Sequence, residues 1–181
     1  AGGGSWFSTR FERKSGRAPI REAARIPMTG KGLPMKLEAF PPQARTKQLL
    51  GQLFAVWLAS VRATHTFLTE EEIQAIAPQV PDALAQAPTL VVAWEGEEPA
   101  GFLGVDGQRI EMLFLAPQHR GRGLGRQLLT YGVEHCGARQ VCVNEQNPQA
   151  RGFYEHLGFR VRRRTATDEQ GRPYPLLHLA L

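Results

Sequence analysis

Between Arg109 and Leu129 the chain reads "RIEMLFLAPQHRGRGLGRQLL". An apolar run of strand length stops at a proline, crosses a turn holding three glycines and three arginines, and enters leucines at helical spacing. A strand that passes so directly into a helix sets that helix back against the sheet it has just left. This junction predicts a sheet covered by helices and leaves no room for a β-sandwich.

The rest of the chain from Met35 alternates between the same two periods. "MKLEAF" predicts a strand, and residues 43–62 place Leu49, Leu50, Leu53, Phe54, Trp57, Leu58 and Val61 at helical spacing. A second helix opens at Thr69, where Glu72 completes a capping-box pattern, and runs past prolines to about Ala87. "TLVVAWE" and "PAGFLGV" form a hairpin about "GEE", and the run from Arg109 is the next strand. After the glycine–arginine turn come a helix to Cys136, the strand "RQVCVN", a helix "PQARGFYEHLG", and two strands, "FRVRRRTAT" and "YPLLHLAL". The order is β-α-α-β-β-β-α-β-α-β-β.

With 181 residues, 42% hydrophobic and 22% charged, the chain has the material for one globular domain with its own core. The charge is lopsided. Residues 1–34 carry seven Lys/Arg against two Glu, which accounts for the whole formal charge of +5, whereas residues 35–181 hold fifteen of each sign. The first 34 residues are therefore expected to be a disordered basic extension to a natural chain starting at Met35. A transit peptide or a nucleic-acid-binding arm are the alternatives. Electroneutrality over 35–181 argues against a nucleic-acid partner there. No stretch reaches the eighteen or so apolar residues of a membrane span, and no secretory signal is evident, so a cytoplasmic protein is expected. Cys136 and Cys142 read as buried free thiols, and no Cys/His cluster with ligand spacing occurs, so no metal is expected.

The turn at 120–126 presents backbone N–H groups that a helix start leaves without intrahelical partners, with the helix dipole and Arg120, Arg122 and Arg126 adding positive charge. Gly121, Gly123 and Gly125 let a ligand approach the backbone, making a cradle for a phosphate or pyrophosphate. It is neither a P-loop, lacking Gly-Lys-Ser/Thr, nor a Rossmann turn.

Downstream, "VNEQNPQARGFYEHLGF" resembles the acetyl-CoA-binding end of the GCN5-related N-acetyltransferase (GNAT) superfamily, through Asn147, Ala150, Phe153, Tyr154, Gly158 and Phe159. "LFLAPQHRGRGLG" is similar to its pyrophosphate-binding strand and loop, with Arg120, Gly123 and Gly125 at signature positions. The resemblance spans residues 36–181. It is closer still to the YjaB-type bacterial acetyltransferases in "SVRATHTFLT", "VNEQN" and "GRPYPLL".

The resemblance implies an α/β GNAT fold: a mixed sheet of six to seven strands, splayed between the fourth and fifth and flanked by four helices. It implies that the amides of Arg120, Gly121, Arg122, Gly123, Leu124, Gly125 and Arg126 hold the coenzyme A pyrophosphate. The backbone of Leu113, Phe114 and Leu115 would bond the pantetheine arm as an added strand, and Asn144 and Asn147 would contact or shape its path. Tyr154 is the expected acid for the departing thiolate. Glu111, on the face of Leu113 and Leu115, and His65, where the first two helices meet, are rival bases. His119 and His135 read as surface or helix residues without a role, and Arg162 and Arg164 as one face of a strand. Neither cysteine sits in a nucleophile setting, so direct attack by a primary amine, from a small molecule or peptide, is expected rather than an acetyl-enzyme. A coenzyme A-binding sensor or interaction module on the same fold is the rival, and a homodimer is in keeping with the family.

Overall fold

A computed structural model describes residues 35–181, so the expectations for residues 1–34 lie outside the described residues. The strands are β1 (Met35–Ala39), β2 (Thr89–Glu95), β3 (Glu98–Asp106), β4 (Arg109–Leu115), β5 (Gln140–Asn144), β6 (Arg160–Thr165) and β7 (Leu176–Ala180). The helices are α1 (Lys47–Thr64), α2 (Glu70–Ile76), α3 (Val80–Gln86), α4 (Leu124–His135) and α5 (Pro148–His156). The element order matches the sequence reading, with one refinement. The helix expected from Thr69 to about Ala87 is two short helices, α2 and α3, joined by a 3-10 turn at Ala77–Gln79. Pro78 and Pro81, which lack N–H donors, break it. Its start is as expected: Thr69 and Glu72 exchange both capping-box bonds.

The strands form one seven-stranded sheet in the order β1-β2-β3-β4-β5-β7-β6. All neighbours are antiparallel except β4 and β5, which run parallel and share only the pairs Arg109↔Gln140 and Ile110↔Val141. Beyond those pairs the strands part, giving the expected splay between fourth and fifth. The core divides by sheet face. Helices α1–α3 cover one face over Leu90, Val92, Phe102 and Met112, and α4 and α5 cover the other over Val91, Leu103, Ile110 and Val143.

Two bulges re-aim side chains that simple alternation misplaces. In β4, Gly104 pairs with Met112 and Val105 with Ile110, which leaves Glu111 as the extra residue. Ile110 is thereby turned into the α4/α5 core, against which Leu113 also packs, while Glu111 at the bulge pairs with Arg109. In β6, Val161 pairs with Leu179 and Arg163 with His178, so Arg162 is the extra residue. The expectation that Arg162 and Arg164 share a face is therefore wrong. The bulge groups Arg162 with Arg163 on the side of His178, while Arg164 turns the other way to a two-bonded ion pair with Glu145 at 2.8 and 2.7 Å.

Candidate active site

Where β4 and β5 part, a cleft of about 540 Å³ opens between the sheet's two halves. Its lining takes in nearly every residue singled out from the sequence: His65, Glu111, Leu113, Phe114, Leu115, Arg120, Gly121, Gly123, Leu124, Gly125, Arg126, Asn144, Asn147 and Tyr154.

Arg122 is the exception. Its guanidinium turns from the cleft to Glu95 at 3.0 Å and His119 Nδ1 at 3.3 Å. It braces the turn against the end of β2, and only its backbone belongs to the cradle. His119 also departs from expectation. It is buried, with Nδ1 3.4 Å from Glu95, because the 3-10 turn Pro117–His119 folds it beneath the loop. His135 is half-exposed on α4 and packs on the Tyr131 ring, as a surface helix residue does.

The turn itself has the anticipated shape. The Arg120 amide is taken up by the Pro117 carbonyl at 3.3 Å, and from Gln127 onward the helix ladder begins with a bond to Gly123. Between them, the amides from Gly121 to Arg126 donate to no carbonyl among the described residues. The nest thus starts one residue later than expected. Gly121 and Gly123 sit at φ +72° and +81°, a left-handed conformation that costs an L side chain about 1–2 kcal/mol. Gly125 has a different reason. A Cβ there would come within 3.3–3.4 Å of Leu115 and Phe153, so this glycine lets α4 sit close on β4 and α5. Arg120 reaches Gln149 at 2.9 Å, and neither it nor Arg126 meets a carboxylate among the described residues. Both cations are available to an anion.

Further along, the β5-facing edge of Met112–Leu115 has no strand partner among the described residues. Asn144 closes that stretch from β5. Its Oδ1 accepts from the Gln146 amide at 2.9 Å, but its Nδ2 is buried without an acceptor among the described residues. An orphaned donor beside unpaired strand edges fits an amide-bearing ligand laid along the cleft. Asn147 is more narrowly employed: it caps α5, with Oδ1 accepting from the Ala150 amide at 3.1 Å.

Tyr154 projects from α5 between Phe153 and Phe159, edge-on to both rings and almost wholly buried. Burial pushes its phenol well above the usual range, so it remains a proton donor at any ordinary pH.

His65 caps the C-terminus of α1. The Thr64 hydroxyl donates to the Ser60 carbonyl and meets His65 Nδ1 at 2.8 Å, which makes Nδ1 the protonated nitrogen and leaves the lone pair on Nε2. Burial lowers its pKa to about 4, so the ring is neutral through the physiological range. Glu111 lies against Arg109 at 3.1 Å, and Arg109 also reaches Glu169 at 2.5 Å. Two carboxylates sharing one guanidinium leave these three side chains one negative charge in excess. Arg109 and Glu169 escaped sequence reading because sixty residues separate them; the acidic pair Asp168–Glu169 in an otherwise ordinary turn was the only local hint.

Both cysteines are free, as expected, but half-buried rather than buried. Burial raises Cys136 to about 11 and likewise raises Cys142. Cys142 touches His178 Nδ1 at 3.1 Å, a contact not foreseen. Since burial and the nearby Arg163 and Arg109 lower that histidine, the pair stays neutral and the thiol unactivated.

Comparison with known proteins bears directly on this geometry. The acetyltransferase (GNAT) domain family matches residues 59–173. The peptidyl-lysine N-acetyltransferase YjaB of Escherichia coli (strain K12) is 42% identical over 129 residues, covering 71% of this chain and 88% of that protein. The chain belongs to the GNAT acetyltransferase family. It is an acetyl-CoA-dependent N-acetyltransferase acting on an amine acceptor. The solution structure of apo-form YjaB from Escherichia coli superposes on this GNAT domain with a TM-score of 0.69 at 38% identity, covering 81% of this chain and 96% of that one. The fold is also shared with the PaiA N-acetyltransferase of Thermoplasma acidophilum, solved in complex with coenzyme A. Its TM-score is 0.62 at 18% identity, over 81% of this chain and 99% of that one. Among the described residues no helix is long and apolar enough to cross a membrane.

Proposed function

We propose that the protein acetylates the side-chain amine of a lysine presented on a peptide or protein, with Glu111 as base and Tyr154 as acid. Acetyl-CoA supplies the activated acetyl thioester. The amides from Gly121 to Arg126, with Arg120 and Arg126, hold its diphosphate, and Asn144 Nδ2 and the free edge of Leu113, Phe114 and Leu115 take its amide-bearing arm. Asn147 orders the start of α5, which carries Tyr154.

The observation that carries this reading is the shared guanidinium. Glu111 and Glu169 divide Arg109 between them, so this trio holds one negative charge in excess to meet an entering ammonium. A lysine amine is mostly protonated at neutral pH and must lose a proton before it attacks. A carboxylate both attracts that cation and accepts its proton. His65, uncharged over the same range, attracts no cation and instead shapes the mouth beside Phe67 and Phe114. The lysine identity of the acceptor is supported by the 42% identical YjaB, a peptidyl-lysine N-acetyltransferase.

Thiol release from acetyl-CoA across lysine peptides, polyamines, amino acids and aminoglycosides tests the acceptor. Lysine peptides should give the highest kcat/KM; a free polyamine or aminoglycoside surpassing them by tenfold overturns it. For the base, Glu111→Gln should cost about 100-fold or more in kcat, and His65→Ala less than tenfold. The reverse order assigns the proton to His65.

A further inference from the structure

On the face of β5, β7 and β6 opposite α5 lies a second recess, of about 510 Å³, bordered by Cys142, His178, Arg162, Arg163, Arg109 and Glu169. Arg109, Cys142, Asp168 and Glu169 also line the active-site cleft, so the two hollows adjoin across the loop between β6 and β7. We infer that this recess is a subsite for an acidic side chain of the acceptor peptide, about four residues from the lysine that is acetylated; the inference rests on the peptidyl-lysine reading above.

The charges decide its sign. Asp168 is bound by Arg172 at 2.6 Å, and Glu169 by Arg109. Each carboxylate on the recess thus already has an arginine partner, Glu169 through a guanidinium it shares with Glu111, so at most one negative charge is left against two cations. Arg162 and Arg163 are unmatched. Arg163 has only a long contact to His178 Nε2 at 3.5 Å, and neither arginine meets a carboxylate among the described residues. His178, held by Cys142 and Thr165 and depressed by burial and the neighbouring guanidiniums, contributes no charge of its own. Two exposed, unmatched guanidiniums therefore point into one hollow.

Their placement has a specific cause. In a regular β6, alternation would send Arg162 and Arg163 to opposite faces. The bulge at Arg162 puts both on the recess side, while Arg164 leaves for Glu145. The register irregularity thus gathers cationic charge where regular pairing would disperse it.

The spacing follows from the sheet. β6 is three strands from β4, which carries Glu111, roughly 14 Å away, and an extended peptide crosses that in about four residues. With its lysine drawn towards Glu111, a peptide would place a residue about four positions away over Arg162 and Arg163. A glutamate or aspartate there gains two charge-assisted hydrogen bonds.

The test is binding of labelled lysine peptides to protein saturated with coenzyme A, which permits no turnover. Peptides carry Glu or Gln at each of the five positions on either side of the lysine. At one of them Glu should bind about fivefold tighter than Gln at low salt, with the gap shrinking as salt rises. The double variant Arg162→Ala/Arg163→Ala should close that gap, whereas Arg164→Ala, on the other face, should preserve it. Equal binding of Glu and Gln peptides at every position, or a preference that survives the double variant, overturns the subsite. A peptide that binds with the preference yet is never acetylated overturns the lysine-transferase reading and leaves the subsite standing.

Discussion

In the proposed mechanism Tyr154 serves as both core and chemistry. Its ring is wedged edge-on between Phe153 and Phe159, which fixes its direction, while the same burial holds the phenol protonated. Rigid placement matters because proton donation to a departing thiolate requires hydrogen-bond reach, and a freely rotating phenol would seldom have it. Tyr154→Phe keeps the ring packing and deletes only the donor. The expected result is a fall in kcat of about 100-fold with acetyl-CoA affinity within twofold of wild type and an unchanged melting temperature. Loss of affinity or stability equal to the loss of rate would make Tyr154 a packing residue instead. At this scale the sequence was most informative where a residue acts through its backbone or close neighbours. Gly121, Gly123 and Tyr154 sit in motifs only a few residues long. It was least informative for Arg122 and His119, whose partner Glu95 comes from a different strand.

At the scale of elements, helix starts and strand limits were legible because their causes are local. Thr69 and Glu72 are three residues apart and close a capping box, and the strand Thr89–Glu95 is where its apolar run stands. Bulges are another matter, since an extra residue exists only relative to a partner strand. Nothing in "VRRRT" says that His178 will oppose Arg163, and so the faces of Arg162 and Arg164 were misread. Helix α1 carries a pH-dependent consequence. His65 ends it, bonded to Thr64 and packed near Phe67 and Phe114, with a pKa of about 4 in the fold against about 6.5 unfolded. A depressed histidine adds no penalty above pH 6.5. As pH falls from 6.5 towards 4 the unfolded chain takes up a proton that the folded chain refuses, so stability drops. Relative to His65→Phe, which cannot titrate, wild type should lose up to about 3 kcal/mol across that window in denaturant titrations. Curves for the two proteins that stay parallel would mean that His65 is freely hydrated.

Taken whole, the molecule is two half-sheets joined where only two residue pairs hold β4 to β5. On one side β1–β4 carry α1–α3; on the other β5–β7 carry α5, with α4 packed across the β3–β4 half. The cleft at the join is lined from both halves, by the α4 turn and β4 on one side and by Asn144 and Tyr154 on the other. A ligand lying there gains contacts that exist only when the halves are correctly apposed, so it binds the folded chain and not the unfolded one. Mass action then fixes the size of the effect. At a hundred times its dissociation constant, acetyl-CoA should add about 2.7 kcal/mol. For a domain of this size that raises the melting temperature by roughly 5–10 °C. Gly123→Glu sets a carboxylate within the nest and forces a non-glycine residue to φ +81°. Strain alone lowers the starting melting temperature of the variant, so the decisive quantity is its ligand-induced shift, which should vanish. Gly123→Ala carries the same strain without the charge and separates the two effects. Its shift should persist, beginning from a melting temperature lowered to the same degree. If both variants respond to acetyl-CoA as wild type does, the diphosphate is held elsewhere, and the unpaired amides from Gly121 to Arg126 serve only to begin a helix.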